Sequence, residues 1–359
     1  MKRDERMDII KGIAIILMVV GHSGVSFKGF IYLFHMAVFF MVSGYLFSFR
    51  KITSVKEAKS YVIRKIKGIW WPYFLWNAIY TILNNFFIWT RIYSDKEFVV
   101  ENVLVSGHAL MSIKDMAINI IKGFFMLGRT EMGGAFWFLR TLFVLSILFG
   151  LIDYMLNKII RREKIVDVVH LLIALGFMCA GYAANLLHIK SLVVPTIFSV
   201  YVLYFFGYAI NRYEIMKHLK NWVSILIGLF LLLGCNGRVE ISLGNNSYGN
   251  PLYLVVCSLG GWLLIYGVAD VINRCRHNRI WRALGVNSLP IVVHHFWCFK
   301  IVTYIQILLL GYSKRCLAAF PYLNADGLWW VAYTVVGCAV PLLLAISVKK
   351  GKEKIKSHA

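Results

Sequence analysis

The chain has 359 residues, of which 59% are apolar and only 16% charged, and its mean hydropathy is +0.68. Soluble domains carry about 25% charged residues, so this composition excludes soluble α/β enzymes, secreted disulfide scaffolds, collagens and disordered tails, none of which could solvate so much apolar surface. The net charge of +22 would suggest nucleic acid as a partner of a soluble protein. In an integral membrane protein it marks the cytoplasmic loops instead, and no nucleic acid is expected.

The opening run MKRDERMDIIKGIAIILMVV is basic and then apolar. It lacks a small-residue cleavage site and leads into more apolar sequence, so it is predicted to be a retained first span rather than a signal peptide. Apolar runs near the ~20 residues that cross a bilayer predict ten helices, over 9–25, 30–49, 68–89, 134–155, 165–187, 192–211, 222–235, 251–271, 287–311 and 328–348. The predicted fold class is an all-α integral membrane protein, a bundle of about ten transmembrane helices with both termini inside, forming one domain over 1–359. The connection 90–133 contains the amphipathic stretch DMAINIIKGFFML, which lies in the interface or re-enters. With the N-terminus inside, 26 Lys and Arg fall on the inner side and 10 on the outer, and three (Lys11, Arg140 and Lys300) fall within spans. That bias satisfies the positive-inside rule. No Gly-rich phosphate loop is evident, nor the paired Gly/Pro-broken spans of an inverted-repeat transporter. The seven Cys have no zinc-like spacing and read as small hydrophobes; no metal is expected.

An ionisable group in hydrocarbon costs about 2.5–3.5 kcal/mol even on the lenient insertion scale, so those inside spans carry the information. The first span holds Asp8, Lys11 and His22. Eleven residues make about three helical turns, which puts Lys11 and His22 on one stripe with a rise of ~16 Å. Spacing alone leaves Lys11 open between snorkelling and a buried role, and His22 open between an interhelical hydrogen bond and chemistry. A short turn leads to His35 near the start of the second span, where two imidazoles can share proton transfer. No Asp or Glu accompanies them to suggest a metal cage. Arg64, Lys65 and Lys67 lie on the inner side before Pro72, as phosphate-binding cations or as ordinary positive-inside residues. Arg140 in the fourth span requires a cavity or a partner, and the adjacent Trp137 suits either a sugar ring or the aromatic belt. In the ninth span Asn287 and Ser288 precede His294 and His295, which cannot face the same way. Lys300 follows without an evident carboxylate partner.

The motifs RMDIIKGIAIILMVVGH, FHMAVFFMVSGYLF, IRKIKGIWWPYF, FWFLRTLF and GVNSLPIVVHHF occur in the order, and over nearly the whole length, seen in acyltransferase family 3. The chain resembles this family, especially its fucose O-acetylase-like branch. The most specific element is a basic residue, ten residues and a histidine, here Lys11 and His22. Gly68, where relatives carry a basic residue, and Ala37, where they carry Pro, depart from the pattern. The resemblance implies a multi-pass enzyme of the bacterial cytoplasmic (inner) membrane that moves an acetyl group from acetyl-CoA to a hydroxyl of a surface glycan or lipid-linked sugar. It implies His22 as the catalytic base supported by His35. Lys11, Arg64, Lys65 and Lys67 would serve the acetyl-CoA donor, and Arg140, Trp137 and His295 the acceptor; the Asn-Ser-apolar-His pattern fits His295 better than His294. Membrane lipids are the remaining partner. Direct transfer and an acyl-histidine intermediate both fit these residues. From another class, a polar-solute transporter or flippase could line its path with the same Lys, His and Arg side chains.

Overall fold

A computed structural model describes residues 4–47, 52–101, 103–189, 193–275 and 278–357. Lys2, Arg3, Arg50, Lys51, Lys190 and Arg276, which enter the charge balance, lie outside the described residues, as do 48–49 of the second expected span and 192 of the sixth. Helices dominate. In chain order they are α1 (Glu5–His22), α2 (Lys28–Tyr32), α3 (His35–Phe47), α4 (Val55–Lys65), α5 (Trp71–Ile82) and α6 (Asn84–Trp89). A two-stranded hairpin follows, β1 (Phe98–Val100) and β2 (Val103–Val105). Then come α7 (Ile113–Phe124), α8 (Phe136–Ile159), α9 (Glu163–Leu186), α10 (Val193–Arg212), α11 (Asn221–Cys235), α12 (Pro251–Arg274), α13 (Arg279–Val286), α14 (Ser288–Leu310) and α15 (Trp329–Ser357).

Among the described residues, seven helices are long and apolar enough to cross a membrane, corresponding to α2–α3 taken together, α8, α9, α10, α12, α14 and α15. The other three expected spans are helical but differ in build. The first, α1, has 18 residues and opens with Glu5, Arg6, Asp8 and Lys11, so its apolar stretch is short. The third is interrupted: a π-helical turn over Ile66–Trp70 precedes α5, and Leu83 separates α5 from α6. The seventh, α11, has 15 residues, under the ~20 of a full crossing. The amphipathic stretch after residue 112 forms α7, capped where Ser112 Oγ accepts from the Asp115 N–H.

The chain forms two compact units. The first comprises Met1–Ala14, Gly29–Trp71 and Trp137–Arg282. Within it α10 packs on α3 and α9, and α11 on α12. Lipid tails are as apolar as Leu, so helices in hydrocarbon associate through close backbone packing and internal polar contacts. Gly44 on α3 and Gly207 on α10 provide the close approach: a Cβ on Gly44 would collide with the Tyr204 carbonyl, and one on Gly207 with that of Met41. Asp167 of α9 is compensated by three donors, accepting from Tyr208 Oη (3.0 Å), Arg212 Nε (2.7 Å) and Tyr213 Oη (2.7 Å). Asp270 of α12 likewise accepts from Asn221 Nδ2 (2.6 Å) and Arg274 Nη2 (2.8 Å).

The second unit comprises Ile15–Lys28, Pro72–Phe136 and Ala283–Ala359. Its main helix pair is α14 against α15. Gly311, with φ of +71°, ends α14 in the left-handed region that glycine tolerates. The connection that follows is pinned to the helix pair: Tyr333 Oη accepts from the Leu323 N–H (3.1 Å) and donates to Gln306 Oε1 (2.8 Å), and Gln306 Nε2 donates to Asn324 O (2.7 Å).

Forcing a side chain between α3 and α10 should separate their backbones. Gly207→Val is expected to lower the apparent Tm in detergent by ~5 °C or more. Gly176→Ala, on a helix position with open space around it, should leave Tm unchanged or slightly higher. Differential scanning fluorimetry of both purified variants checks this.

Candidate functional site

The polar centre of the second unit is a pair of imidazoles. His22 ends α1 and is partly exposed, whereas His295, on the second turn of α14, is fully buried. His22 Nδ1 lies 3.2 Å from His295 Nε2, with the rings 15° from parallel and their centroids 5.2 Å apart. The other His295 nitrogen, Nδ1, lies 3.0 Å from Ile291 O and 3.1 Å from Val292 O. Helix backbone therefore orients this ring from the preceding turn.

These contacts fix the tautomers of the neutral pair. A carbonyl oxygen only accepts, so His295 Nδ1 carries the proton and its Nε2 holds the lone pair. His295 Nε2 accepts, and His22 Nδ1 must donate. The remaining His22 nitrogen, Nε2, then carries a lone pair and is the basic atom of the dyad. In this arrangement His295 acts on His22 as an orienting acceptor, the geometric logic by which a base is itself held by a third group.

Aromatic rings wall the pair. Phe296 packs 4.9 Å from the His22 ring and 4.0 Å from that of His295, and Phe320 lies 4.7 Å from Phe296. Tyr322 packs against Gly24, just beyond His22, where a Cβ would come within 2.6 Å of the Tyr322 ring. Lys300, buried one helical turn after Phe296, donates to Leu317 O (3.0 Å) and Ala319 O (2.8 Å) and so ties down the segment that delivers Phe320. Adjacent His294 turns elsewhere: its Nδ1 is 3.2 Å from Tyr80 Oη and its ring meets Trp76 edge-on at 4.2 Å. Tyr80 in turn donates to Val293 O (3.0 Å).

The remaining expected site residues lie in the first unit. Lys11 Nζ pairs with Asp8 Oδ1 at 2.8 Å, three residues earlier on α1. His35 is buried, with Nδ1 2.9 Å from Ile31 O and its ring stacked on Tyr32 at 5.2 Å. By the same carbonyl argument it is protonated at Nδ1. Arg64 and Lys67 are exposed, Arg64 donating to Ser60 Oγ (2.7 Å) and Lys65 lying 5.5 Å over the Tyr61 ring. The helix of Arg64 and Lys65, α4, starts at a capping box in which hydrogen bonds from the Thr53 backbone and hydroxyl, reinforced by Ser54, hold the exposed Glu57 carboxyl below its usual range, and Lys67 lies in the π-helical turn that follows. Arg140 is half-buried in the second turn of α8. The Trp137 ring lies against the turn Leu243–Asn245, 3.0 Å from where a Gly244 Cβ would stand. A cavity of about 200 Å³ in this unit, lined by Ala184, Asn185, His188, Ile189, Pro195 and Asn246, includes none of the expected site residues.

Sequence reasoning overlooked two members of the second unit. His108 Nε2 bonds Glu131 Oε2 at 3.0 Å, and Tyr93 stacks on the His108 ring at 4.2 Å. Both sit in the 90–133 connection outside any span, where an ionisable residue is unremarkable, so no hydropathy signal singles them out. Among the described residues no group of three or more His, Cys, Asp or Glu could hold a metal ion.

The model of acyltransferase family 3, described as an acyltransferase domain, covers residues 4–347 and thus parts of both units. No curated protein and no solved structure shows a significant match.

The tautomer assignment can be read directly. In ¹⁵N-histidine-labelled protein, with signals assigned through His22→Ala and His295→Ala, both rings are expected to show protonated Nδ1 and unprotonated Nε2 at neutral pH. Protonation of His295 at Nε2 alone would contradict the carbonyl anchoring.

Proposed function

The chain belongs to acyltransferase family 3, and on that premise we propose that it moves an acetyl group from acetyl-CoA to a hydroxyl of a cell-surface glycan or its lipid-linked precursor, with His22 as the base. The observation that carries this reading is the His22–His295 hydrogen bond, whose carbonyl anchoring leaves the lone pair on His22 Nε2. The family match replaces the transporter alternative.

In this mechanism the acceptor hydroxyl oxygen attacks the thioester carbonyl while His22 Nε2 takes the hydroxyl proton. The C–S bond breaks, the thiolate departs, and the proton held on His22 passes to it, giving an ester, free CoA thiol and the neutral dyad again. While His22 is doubly protonated, its Nδ1–H remains bonded to His295 Nε2, so the extra charge meets an acceptor already in place. His35, itself anchored to Ile31 O, supports this chemistry from the second span.

Exposed Arg64 and Lys67, with Lys65 beside them, supply cations for the phosphates of CoA at the inner face. Lys11 extends this set into the membrane, balanced by Asp8. Arg140 and Trp137 serve the acceptor side, the guanidinium through hydroxyl contacts and the indole through a sugar face. The enzyme acts in the bacterial cytoplasmic membrane, with its N-terminus inside, as the distribution of Lys and Arg supports.

The decisive assay supplies radiolabelled acetyl-CoA and a crude glycan acceptor to membranes holding wild type or His22→Ala at equal protein level. Base-labile label in the glycan is expected with wild type and should fall ~100-fold or more in His22→Ala; label retained by the variant removes His22 from the mechanism. The donor site has its own signature. Arg64→Ala combined with Lys67→Ala should raise the KM for acetyl-CoA several-fold with kcat little changed, and added salt should raise the wild-type KM in the same direction.

A further inference from the structure

The first unit holds a cavity that the mechanism does not use. Its volume is about 200 Å³, far above the ~10–15 Å³ that a single water needs. Three segments build it: Ala184, Asn185, His188 and Ile189 come from the end of α9, Pro195 from the first turn of α10, and Asn246 from the turn after Leu243–Asn245. His188 and Ile189 are exposed and Ala184 and Asn185 half-buried, so the cavity opens at the surface. Pro195 and Asn246 are buried and form its floor.

The backbone around the cavity is fixed, whereas the polar side chains that line it have hydrogen-bonding capacity to spare. The Ile189 N–H donates to Ala184 O (3.1 Å) and the His188 N–H to Asn185 O (3.1 Å), the paired bonds that close a helix around a left-handed residue. That residue is His188, with φ of +50°, at a position that glycine ordinarily takes. Glycine would serve the turn better, so the imidazole stands at the mouth of the cavity at a cost to the backbone. Asn246 is locked from behind: Ser199 Oγ donates to its Oδ1 (2.7 Å), and its Nδ2 donates to Gly181 O (2.9 Å). A side-chain amide has two N–H groups and two oxygen lone pairs, so Asn246 keeps one of each. The side chains of Asn185 and His188 make no hydrogen bond among the described residues.

This lining restricts the ligand. Among the described residues no Lys, Arg, Asp or Glu lines the cavity, so an ion of either sign would meet no counter-charge. An apolar molecule would leave three polar side chains unpaired. An amide, and an imidazole in its neutral form, both donates and accepts, which is the pattern of a hydroxyl. Ala184, Ile189 and Pro195 add C–H surface for a ring. We propose that this cavity is a binding site for a neutral polyol, one sugar residue of a glycan, made of none of the residues assigned to acyl transfer. With the N-terminus inside, as proposed above, the α9–α10 connection lies on the outer side, where a surface glycan is met. Identifying the sugar as part of the acceptor rests on that reading; the match to a polyol does not. A polymer held here by one residue stays attached while another is acetylated, because a second point of attachment raises its effective concentration at the enzyme.

The test records saturation-transfer difference NMR of methyl hexosides at millimolar concentration on the full chain in phosphatidylcholine nanodiscs, without acetyl-CoA. At least one hexoside is expected to bind the wild type. Ala184→Leu, which fills the cavity, should weaken that binding about tenfold or more. His188→Gly should weaken it about tenfold with Tm equal to or above that of wild type, which separates a lost contact from a lost fold. If Ala184→Leu does not fold, His188→Gly decides. The site is overturned if no hexoside binds, or if binding persists undiminished in the deciding variant, as it would were the sugar held elsewhere. Displacement of the hexoside when phosphatidylglycerol, whose headgroup is itself a polyol, replaces half of the lipid would also overturn it and assign the cavity to a lipid headgroup. Cavity-dependent binding without acetyl transfer in the radiolabel assay would uphold the site and count against the acyl-transfer reading; transfer without cavity-dependent binding would do the opposite.

Discussion

In hydrocarbon no water is at hand to satisfy a polar side chain, and every such group in a span needs an internal partner. In this chain the partner at the key positions is a backbone carbonyl. His295 is anchored on Ile291 and Val292, His35 on Ile31, Tyr80 on Val293, and Lys300 on Leu317 and Ala319. A carbonyl can only accept, so each contact settles more than position: it settles which atom of the side chain holds the proton. The orientation of His22 follows from that constraint through a single intervening imidazole.

The same constraint explains why so much of the architecture could be anticipated. Apolar runs long enough to cross a bilayer are conspicuous, and seven of them form helices long and apolar enough to cross among the described residues. Where they depart from simple rods, the cause is local. Four charged residues occupy the first two turns of α1, and the third span is broken by a π turn at Ile66–Trp70 and again at Leu83. The hairpin Phe98–Val105 escaped notice because two strands of three residues leave no useful alternation.

Site residues were legible to the extent that they break an apolar pattern. His22, His295 and Lys300 stand out on that ground alone, and family resemblance gave His22 and His295 roles. Their partnerships were not legible. His22 and His295 are separated by 273 positions, and nothing in spacing pairs them. Lys300 lacked a visible carboxylate because its hydrogen-bond partners are main-chain oxygens, which every residue possesses. Glu131 and His108 were hidden for the converse reason, being ordinary polar residues of a connection until the fold buries one of them. Adjacent His294 and His295 show what a 100° rotation along α14 does: one ring meets Trp76 and Tyr80, the other meets His22.

The imidazole pair has an electrical consequence. A charge displaced across a membrane exchanges about 2.3 kcal/mol with each 100 mV of potential, which is how voltage couples to pumps and sensors. Two neutral rings, each protonated at Nδ1, the one oriented by helix carbonyls and the other by the first, present no net charge to that field at rest. In the proposed reaction the proton taken by His22 stays on one ring near the end of α1 until it is handed on. Chemistry built on such a dyad can proceed in an energised membrane without drawing on the membrane potential or being stalled by it.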